Sequence, residues 1–139
     1  GMRFECRKLG DYNIINDAYN ASPMSMEASL FTLHQATVSK GKRAIAVLGD
    51  MLELGHVAVA AHRKVGQQAA EAGVSCVITL GEMGREIAAG AKEAGLKQVY
   101  ACDTHQQAAD RLKALLKPGD TVLFKGSRGM AMEKIIDLI

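Results

Sequence analysis

The stretch TVLFKGSR, residues 121–128, runs from apolar residues directly into a lysine, a glycine, a hydroxyl and an arginine. A second stretch with the same pattern, IINDAYNASP at residues 14–23, passes from apolar residues to an acid, an aromatic residue and an amide before a proline. Each is typical of a buried strand that stops at polar residues and then enters a helix. In an open α/β sheet, strand carboxyl ends and helix amino ends meet at one edge, where ligands bind. The two stretches therefore predict an α/β fold with a site at that edge.

Strand-like and helix-like segments alternate along the rest of the chain. The predicted strands are residues 4–9, 12–16, 43–48, 75–80, 98–102 and 120–124. The predicted helices are residues 24–38, 57–72, 82–94, 106–116 and 130–138. Strands that are apolar throughout are expected where helices cover both faces of a sheet. We predict a three-layer, Rossmann-like α/β domain with a mainly parallel sheet of about six strands and one antiparallel edge strand.

Composition and charge narrow the class of protein. The chain has 139 residues, 48% of them hydrophobic, and a net charge of +2, which predicts one globular domain. Basic and acidic residues are interspersed, which argues against a nucleic-acid surface. No apolar run is long enough for a membrane span, and no signal peptide is visible, so we expect a cytoplasmic protein. Gly1 before Met2 is typical of a cleavage remnant, and we expect an excised domain of a longer protein.

Three cysteines, Cys6, Cys76 and Cys102, are widely spaced along the chain. This spacing predicts free thiols in a reducing compartment rather than a disulfide or a metal site.

Two familiar phosphate-binding motifs are missing from the sequence. No Gly-x-Gly-x-x-Gly follows a predicted strand, and there is no Gly-x-x-x-x-Gly-Lys-Ser/Thr. If this domain contacts a nucleotide, it therefore does so from the side, without holding the phosphates by itself.

Asp17, Tyr19 and Asn20 follow the strand at residues 12–16. A carboxylate at such a position can accept hydrogen bonds from both hydroxyls of a ribose, and Tyr19 can offer an aromatic face or a hydroxyl. The alternative is that Asp17 and Asn20 only cap the loop and the next helix.

Lys125, Ser127 and Arg128 follow the last predicted strand and form the stronger chemical signal. Two cations, a hydroxyl and the N–H groups of the next helix suit a carboxylate or a phosphate. Gly126 between them permits an unusual backbone angle or the close approach of a ligand. The alternative is a solvated turn.

Asp50 and His62 are weaker candidates near a third strand end. Asp50 and Glu53 could help to hold Mg²⁺ or a cationic group, but we favour a loop that packs through its apolar residues while Asp50 caps it. His62 is equally consistent with facing a cleft and with being a packed, hydrogen-bonded residue. We predict no metal site.

Five motifs occur in a fixed order along the chain: MRFE at 2–5, INDAYNASPxSM at 15–26, LGDMxELG at 48–55, HxxVG at 62–66 and KGSRxxxME at 125–133. The series resembles the C-terminal domain of the bacterial Mur ligases over essentially all 139 residues. Within that family it is most similar to members that add D-alanyl-D-alanine. Ser22, where asparagine is usual, and Gly129-Met130, where small polar residues are common, depart from the pattern.

The resemblance implies one domain of a peptidoglycan-synthesis enzyme. Such enzymes use ATP and Mg²⁺ to convert the carboxylate of UDP-N-acetylmuramoyl-tripeptide to an acyl phosphate, which the amine of D-alanyl-D-alanine attacks. Residues 1–139 would be the C-terminal domain, without the UDP-binding domain and without the central ATPase domain, which binds most of the Mg²⁺. We therefore expect the isolated chain to be inactive.

The resemblance also implies roles for single residues. Arg3, Asp17, Tyr19 and Asn20 match positions that contact ATP. Lys125, Ser127 and Arg128 match a strand-end motif that meets the amine substrate or the peptide. Asp50 and His62 match family positions to which no firm role is assigned.

Two other functions remain open from the sequence. A stand-alone α/β module that binds a nucleotide or a phosphorylated ligand would also have a strand-end site without a P-loop. A sister Mur ligase that adds an earlier amino acid is disfavoured, because those enzymes carry other residues in place of Tyr19-Asn20-Ala21.

Overall fold

The computed structural model describes residues 4–139, and the predicted ATP contact Arg3 lies outside the described residues. The strands are Glu5–Leu9 (β1), Tyr12–Asp17 (β2), Ala44–Gly49 (β3), Cys76–Leu80 (β4), Val99–Cys102 (β5) and Thr121–Lys125 (β6). The α-helices are Pro23–Ala36 (α1), Ala58–Glu71 (α2), Gly84–Glu93 (α3), His105–Leu115 (α4) and Glu133–Ile136 (α5). Short 3-10 turns lie at Val38–Lys40, Gly55–Val57 and Arg128–Met130.

The strands of residues 4–139 form one sheet with the order β1-β2-β6-β3-β4-β5. β1 pairs antiparallel with β2 at one edge, and every other neighbouring pair is parallel. The predicted fold class is therefore confirmed. No helix within this part of the chain has both the length and the apolar character needed to cross a membrane.

Helices cover both faces of the sheet, which explains why the central strands are apolar throughout. In β3, Ala44, Ala46 and Leu48 pack against α1, α2 and α3 on one face. The alternate residues Ile45 and Val47 pack against α4 and α5 on the other face. All six residues of β3 are buried, so the strand has no polar face to alternate with the apolar one.

The first and last helices end at different residues from those predicted. The first helix ends at Ala36, not at residue 38, and the Thr37 hydroxyl donates to the Leu33 carbonyl at 2.6 Å beyond that end. The predicted last helix, residues 130–138, is reduced to a 3-10 turn and the four residues of α5. Ala131 separates the two, because its φ of 48° lies in the left-handed region that a right-handed helix does not use.

Candidate functional site

Three neighbouring strands bring the predicted site residues to one edge of the sheet. β6 lies between β2 and β3, so their carboxyl ends are adjacent. Asp17 is the register partner of Lys125, and Lys125 is also the partner of Leu48, two residues before Asp50. Residues far apart in the sequence therefore lie at one edge of the sheet, as the strand-end pattern predicted.

Asp17 and Lys125 form a buried ion pair at this edge. Lys125 Nζ lies 2.8 Å from Asp17 Oδ2, and the two side chains are only 4% and 10% exposed. Lys125 Nζ also donates to the Asn20 carbonyl at 3.1 Å. Asp17 Oδ1 accepts from the Phe4 N–H at 3.3 Å. The pair therefore joins the end of β6 to the loop that follows β2.

Ser29 is a site residue that the sequence reasoning missed. Its hydroxyl donates to Asp17 Oδ2 at 2.5 Å, and the residue is buried. Ser29 lies on the stripe of α1 that otherwise buries Met26, Leu30 and Leu33. A lone hydroxyl on an apolar stripe needs a buried partner, because an unpaired one costs about 1–3 kcal/mol. That signal in the sequence could have identified it.

A shallow depression of about 290 Å³ opens beside the ion pair. Asp17 and Lys125 line it, with Tyr19, Asn20 and four residues at the start of α1, namely Ser22, Ser25, Ala28 and Ser29. Tyr19 is 42% exposed at the rim. Ser22 and Ser25 cap α1 reciprocally, each hydroxyl accepting from the other's N–H. A carboxylate, an ammonium, hydroxyls and an aromatic ring together suit a ribose or a similar polyhydroxyl group.

Ser127 ties the end of β6 to the loop after β3. Its N–H donates to the Asp50 carbonyl at 2.9 Å. Its Oγ accepts from the Leu52 N–H at 2.8 Å. Ser127 is buried, so the predicted substrate contact is in addition a cross-link between two loops.

Asp50 and His62 hold the loop after β3 in place through hydrogen bonds that involve α3 and α2. Asp50 Oδ1 accepts from the Gly84 N–H at 2.7 Å, at the start of α3. His62 is fully buried and accepts from the Met51 N–H at Nε2, 2.9 Å away. Its Nδ1–H donates to the Ala58 carbonyl at 2.6 Å, which leaves a neutral ring. These contacts are structural, a role that the sequence analysis favoured for Asp50 and left open for His62.

Arg128 and Gly126 contact the protein rather than open space. Arg128 Nη2 pairs with both carboxylate oxygens of Glu133, at 2.8 Å for Oε2, and Nη1 lies 3.5 Å from the Ala18 carbonyl. A Cβ on Gly126 would lie 2.8 Å from Met132 Cγ and 3.2 Å from the Gly49 backbone. The absence of a Cβ at Gly126 therefore leaves room for the Met132 side chain. The φ of Gly126 is not in the left-handed region.

Cys6, Cys76 and Cys102 are all free thiols, as predicted. Burial raises the pKa of the Cys76 thiol to about 12 and also raises the pKa of Cys102. Within residues 4–139, no three His, Cys, Asp or Glu side chains are grouped so that they could hold a metal ion.

The fold and the candidate site define a class of protein: a mainly parallel α/β domain with polar side chains gathered at three adjacent strand ends. Residues 2–128 match the family described as "Mur ligase, glutamate ligase domain". This chain therefore belongs to the Mur ligase family.

Curated relatives match this chain over nearly its whole length. The UDP-N-acetylmuramoyl-tripeptide–D-alanyl-D-alanine ligase of Bacillus subtilis (strain 168) is 41% identical over 144 residues, which cover 100% of this chain and 31% of the relative. The ligase of the same name from Escherichia coli (strain K12) is 34% identical over 138 residues, which cover 98% of this chain and 28% of the relative. The chain thus spans about 30% of the length of the relatives it matches.

Solved structures agree with the sequence relatives. The MurF ligase from Thermotoga maritima in complex with ADP superposes with a TM-score of 0.82 at 26% identity, covering 99% of this chain and 30% of that one. A MurF structure from Acinetobacter baumannii gives a TM-score of 0.83 at 28% identity, covering 98% of this chain and 30% of that one.

Proposed function

We propose that this chain is the C-terminal domain of a three-domain, ATP-dependent ligase that joins D-alanyl-D-alanine to UDP-N-acetylmuramoyl-tripeptide in the cytoplasm. Relatives named for this reaction cover the whole chain, and a structural neighbour binds ADP. The full enzyme would activate the tripeptide carboxylate as an acyl phosphate with ATP and Mg²⁺, and we assign the binding of ATP and Mg²⁺ mainly to the central domain.

The observation that carries the proposal is the buried Asp17–Lys125 pair beside a hydroxyl-lined depression. Its volume of about 290 Å³ is at the low end of small-molecule sites, so it fits the sugar of a nucleotide better than a whole ATP. This size matches a domain that closes over a nucleotide held elsewhere. Closure would exclude water, to which an acyl phosphate is otherwise lost.

We assign the nucleotide side of the site to Asp17, Tyr19 and Asn20. Asp17 Oδ1 accepts one hydrogen bond, from Phe4, and keeps a lone pair that a ribose hydroxyl can use. Tyr19 and Asn20 are exposed at the rim, where they can contact the ligand directly. We place Arg3 on the same side from the family resemblance alone.

We assign the amine-substrate side to Lys125, Ser127 and Arg128. Two of the three Lys125 N–H donors have acceptors among residues 4–139, and Lys125 lines the depression. The third donor is available to a carboxylate there. Arg128 is half exposed, so the carboxylate of D-alanyl-D-alanine can exchange with Glu133 on its guanidinium.

The test joins residues 2–139 to the two preceding domains of the Bacillus subtilis relative. We expect the joined protein to release phosphate only when ATP, UDP-N-acetylmuramoyl-tripeptide and D-alanyl-D-alanine are all present. Asp17→Asn should lower the rate at least tenfold, because the amide adds N–H donors where Lys125 and Ser29 need an acceptor. The control Asp110→Asn, at an exposed carboxylate on α4, should not.

A folded joined protein without ligation would refute the proposal. The isolated chain separates the two classes of function in an ATP titration by calorimetry. Negligible binding is expected of a domain that needs its neighbours, whereas tight binding by the chain alone would favour a stand-alone nucleotide-binding module.

A further inference from the structure

Lys125, assigned above to the amine-substrate side through its third N–H donor, also contacts the nucleotide-side loop with the other two. Its Nζ bonds to Asp17 Oδ2 at 2.8 Å and to the Asn20 carbonyl at 3.1 Å. Both acceptors belong to the end of β2 and the loop that follows it. The hydrogen bonds that the buried ammonium donates to these acceptors are strong, because charge-assisted hydrogen bonds are stronger than neutral ones.

Ser29 completes the arrangement from α1. Its hydroxyl and the Lys125 ammonium donate to the same carboxylate oxygen, at 2.5 Å and 2.8 Å. The carboxylate is thereby held in one orientation, which in turn fixes Nζ against the Asn20 carbonyl. A continuous chain of contacts runs from α1 through Asp17 and Lys125 to the backbone of Asn20.

We propose that Lys125 and Ser29 are positioning residues for nucleotide binding, which act by fixing the loop of Tyr19 and Asn20. This inference rests on the proposed function. Ser29 acts through Asp17, and Lys125 acts through both Asp17 and Asn20. Loss of either contact removes one restraint on this loop, so conformations that do not meet the nucleotide become more populated and ATP binding weakens.

Steady-state kinetics of the joined protein tests the inference. We expect Lys125→Met to raise the KM for ATP by roughly tenfold, the value of one charge-assisted hydrogen bond. Ser29→Ala should raise the same KM by roughly threefold, because Asp17 keeps its bond to Lys125. The KM for D-alanyl-D-alanine should change less than the KM for ATP in both variants.

Two matched controls make the same chemical changes elsewhere. Lys113→Met removes an exposed lysine of α4. Ser39→Ala removes an exposed hydroxyl that donates to the Gln35 carbonyl. Both should leave both KM values unchanged. If Lys125→Met raises only the KM for D-alanyl-D-alanine, Lys125 acts only as a substrate contact and the positioning role is wrong, while the ligase proposal stands.

A second readout does not depend on activity. In NMR spectra of the isotopically labelled 139-residue chain, the Asn20 carbonyl carbon should move upfield in Lys125→Met and, by less, in Ser29→Ala. An unchanged Asn20 resonance in Lys125→Met would overturn the positioning role even if the joined protein proved inactive. Inactive joined protein with a shifted Asn20 resonance would instead count against the ligase and keep the loop contact.

Discussion

Gly90 of α3 lies against the backbone of α2, and Gly90→Ala should push these two helices apart. A Cβ at residue 90 would lie 2.0 Å from the Arg63 carbonyl oxygen and 2.8 Å from its carbonyl carbon. Gly66 of α2 makes the reciprocal approach, because its Cβ would lie 1.9 Å from the Ile87 carbonyl oxygen. Both obstacles are main-chain atoms, so no side-chain rotation relieves the clash.

The size of the effect follows from these distances. A carbon normally stays roughly 3.3 Å from a carbonyl oxygen, so the helices must separate by about 1.3 Å at this point. Overpacking of a core costs about 1–3 kcal/mol, and a main-chain obstacle puts Gly90→Ala at the upper end. Alanine returns about 1 kcal/mol through its higher helix propensity. The net loss is about 2 kcal/mol, or roughly 6 °C in Tm for a domain of this size.

The two helices also support the candidate site. His62 on α2 and Gly84 on α3 hold Met51 and Asp50, respectively, in the loop after β3. Separating α2 from α3 should therefore loosen that loop as well as lower the free energy of unfolding.

Differential scanning calorimetry measures the change in Tm, with Ala89→Gly as the neighbouring control. Ala89→Gly should lower the free energy of unfolding by about 1 kcal/mol through helix propensity alone, and Tm should fall accordingly. Propensity by itself predicts the opposite sign for Gly90→Ala. A higher Tm in Gly90→Ala would refute the close-approach reasoning.

Two further predictions concern buried groups of β4. Thr79 Oγ1 is buried and has no hydrogen-bond partner in the described part of the chain, so Thr79→Val should raise the free energy of unfolding by about 1 kcal/mol; a lower Tm would contradict this. The Cys76 thiol has a pKa of about 12 in the folded chain against an ordinary value of 9.0, so the unfolded chain loses this proton first and stability falls as pH rises above 9. Cys76→Val should therefore lose stability less steeply than the unchanged chain above that pH in urea titrations, and equal slopes would contradict the burial effect.

The sheet was predictable because burial on both faces leaves a clear trace in the sequence. β3 is an unbroken apolar run, and such runs indicate strands covered by helices. The last helix was harder to predict, because its sequence pattern does not reveal that Ala131 takes a left-handed conformation. The next residue, Met132, is fully buried beside Gly49 and Gly126, so this turn lies among contacts with distant parts of the chain.

The candidate site was predictable as a set of residues but not as a set of contacts. Polar residues after apolar runs located Asp17 and Lys125 at strand ends. Their pairing requires β6 to lie between β2 and β3, and strand order is not written in local patterns. For the same reason, the sequence assigned Asp17 and Lys125 to different ligands, whereas the structure places their side chains in contact.

The contacts at the strand ends form one connected network rather than three separate loops. Ser127 holds Asp50 and Leu52 of the loop after β3, and Lys125 holds Asn20 of the loop after β2. Both anchors lie within three residues at the end of β6, which is the central strand of the three. A ligand that displaces the Tyr19–Asn20 loop must therefore also strain the buried pair beneath it. Leaving one charge of such a buried pair without its partner costs about 3–5 kcal/mol. The site should therefore bind its ligand as a single rigid surface.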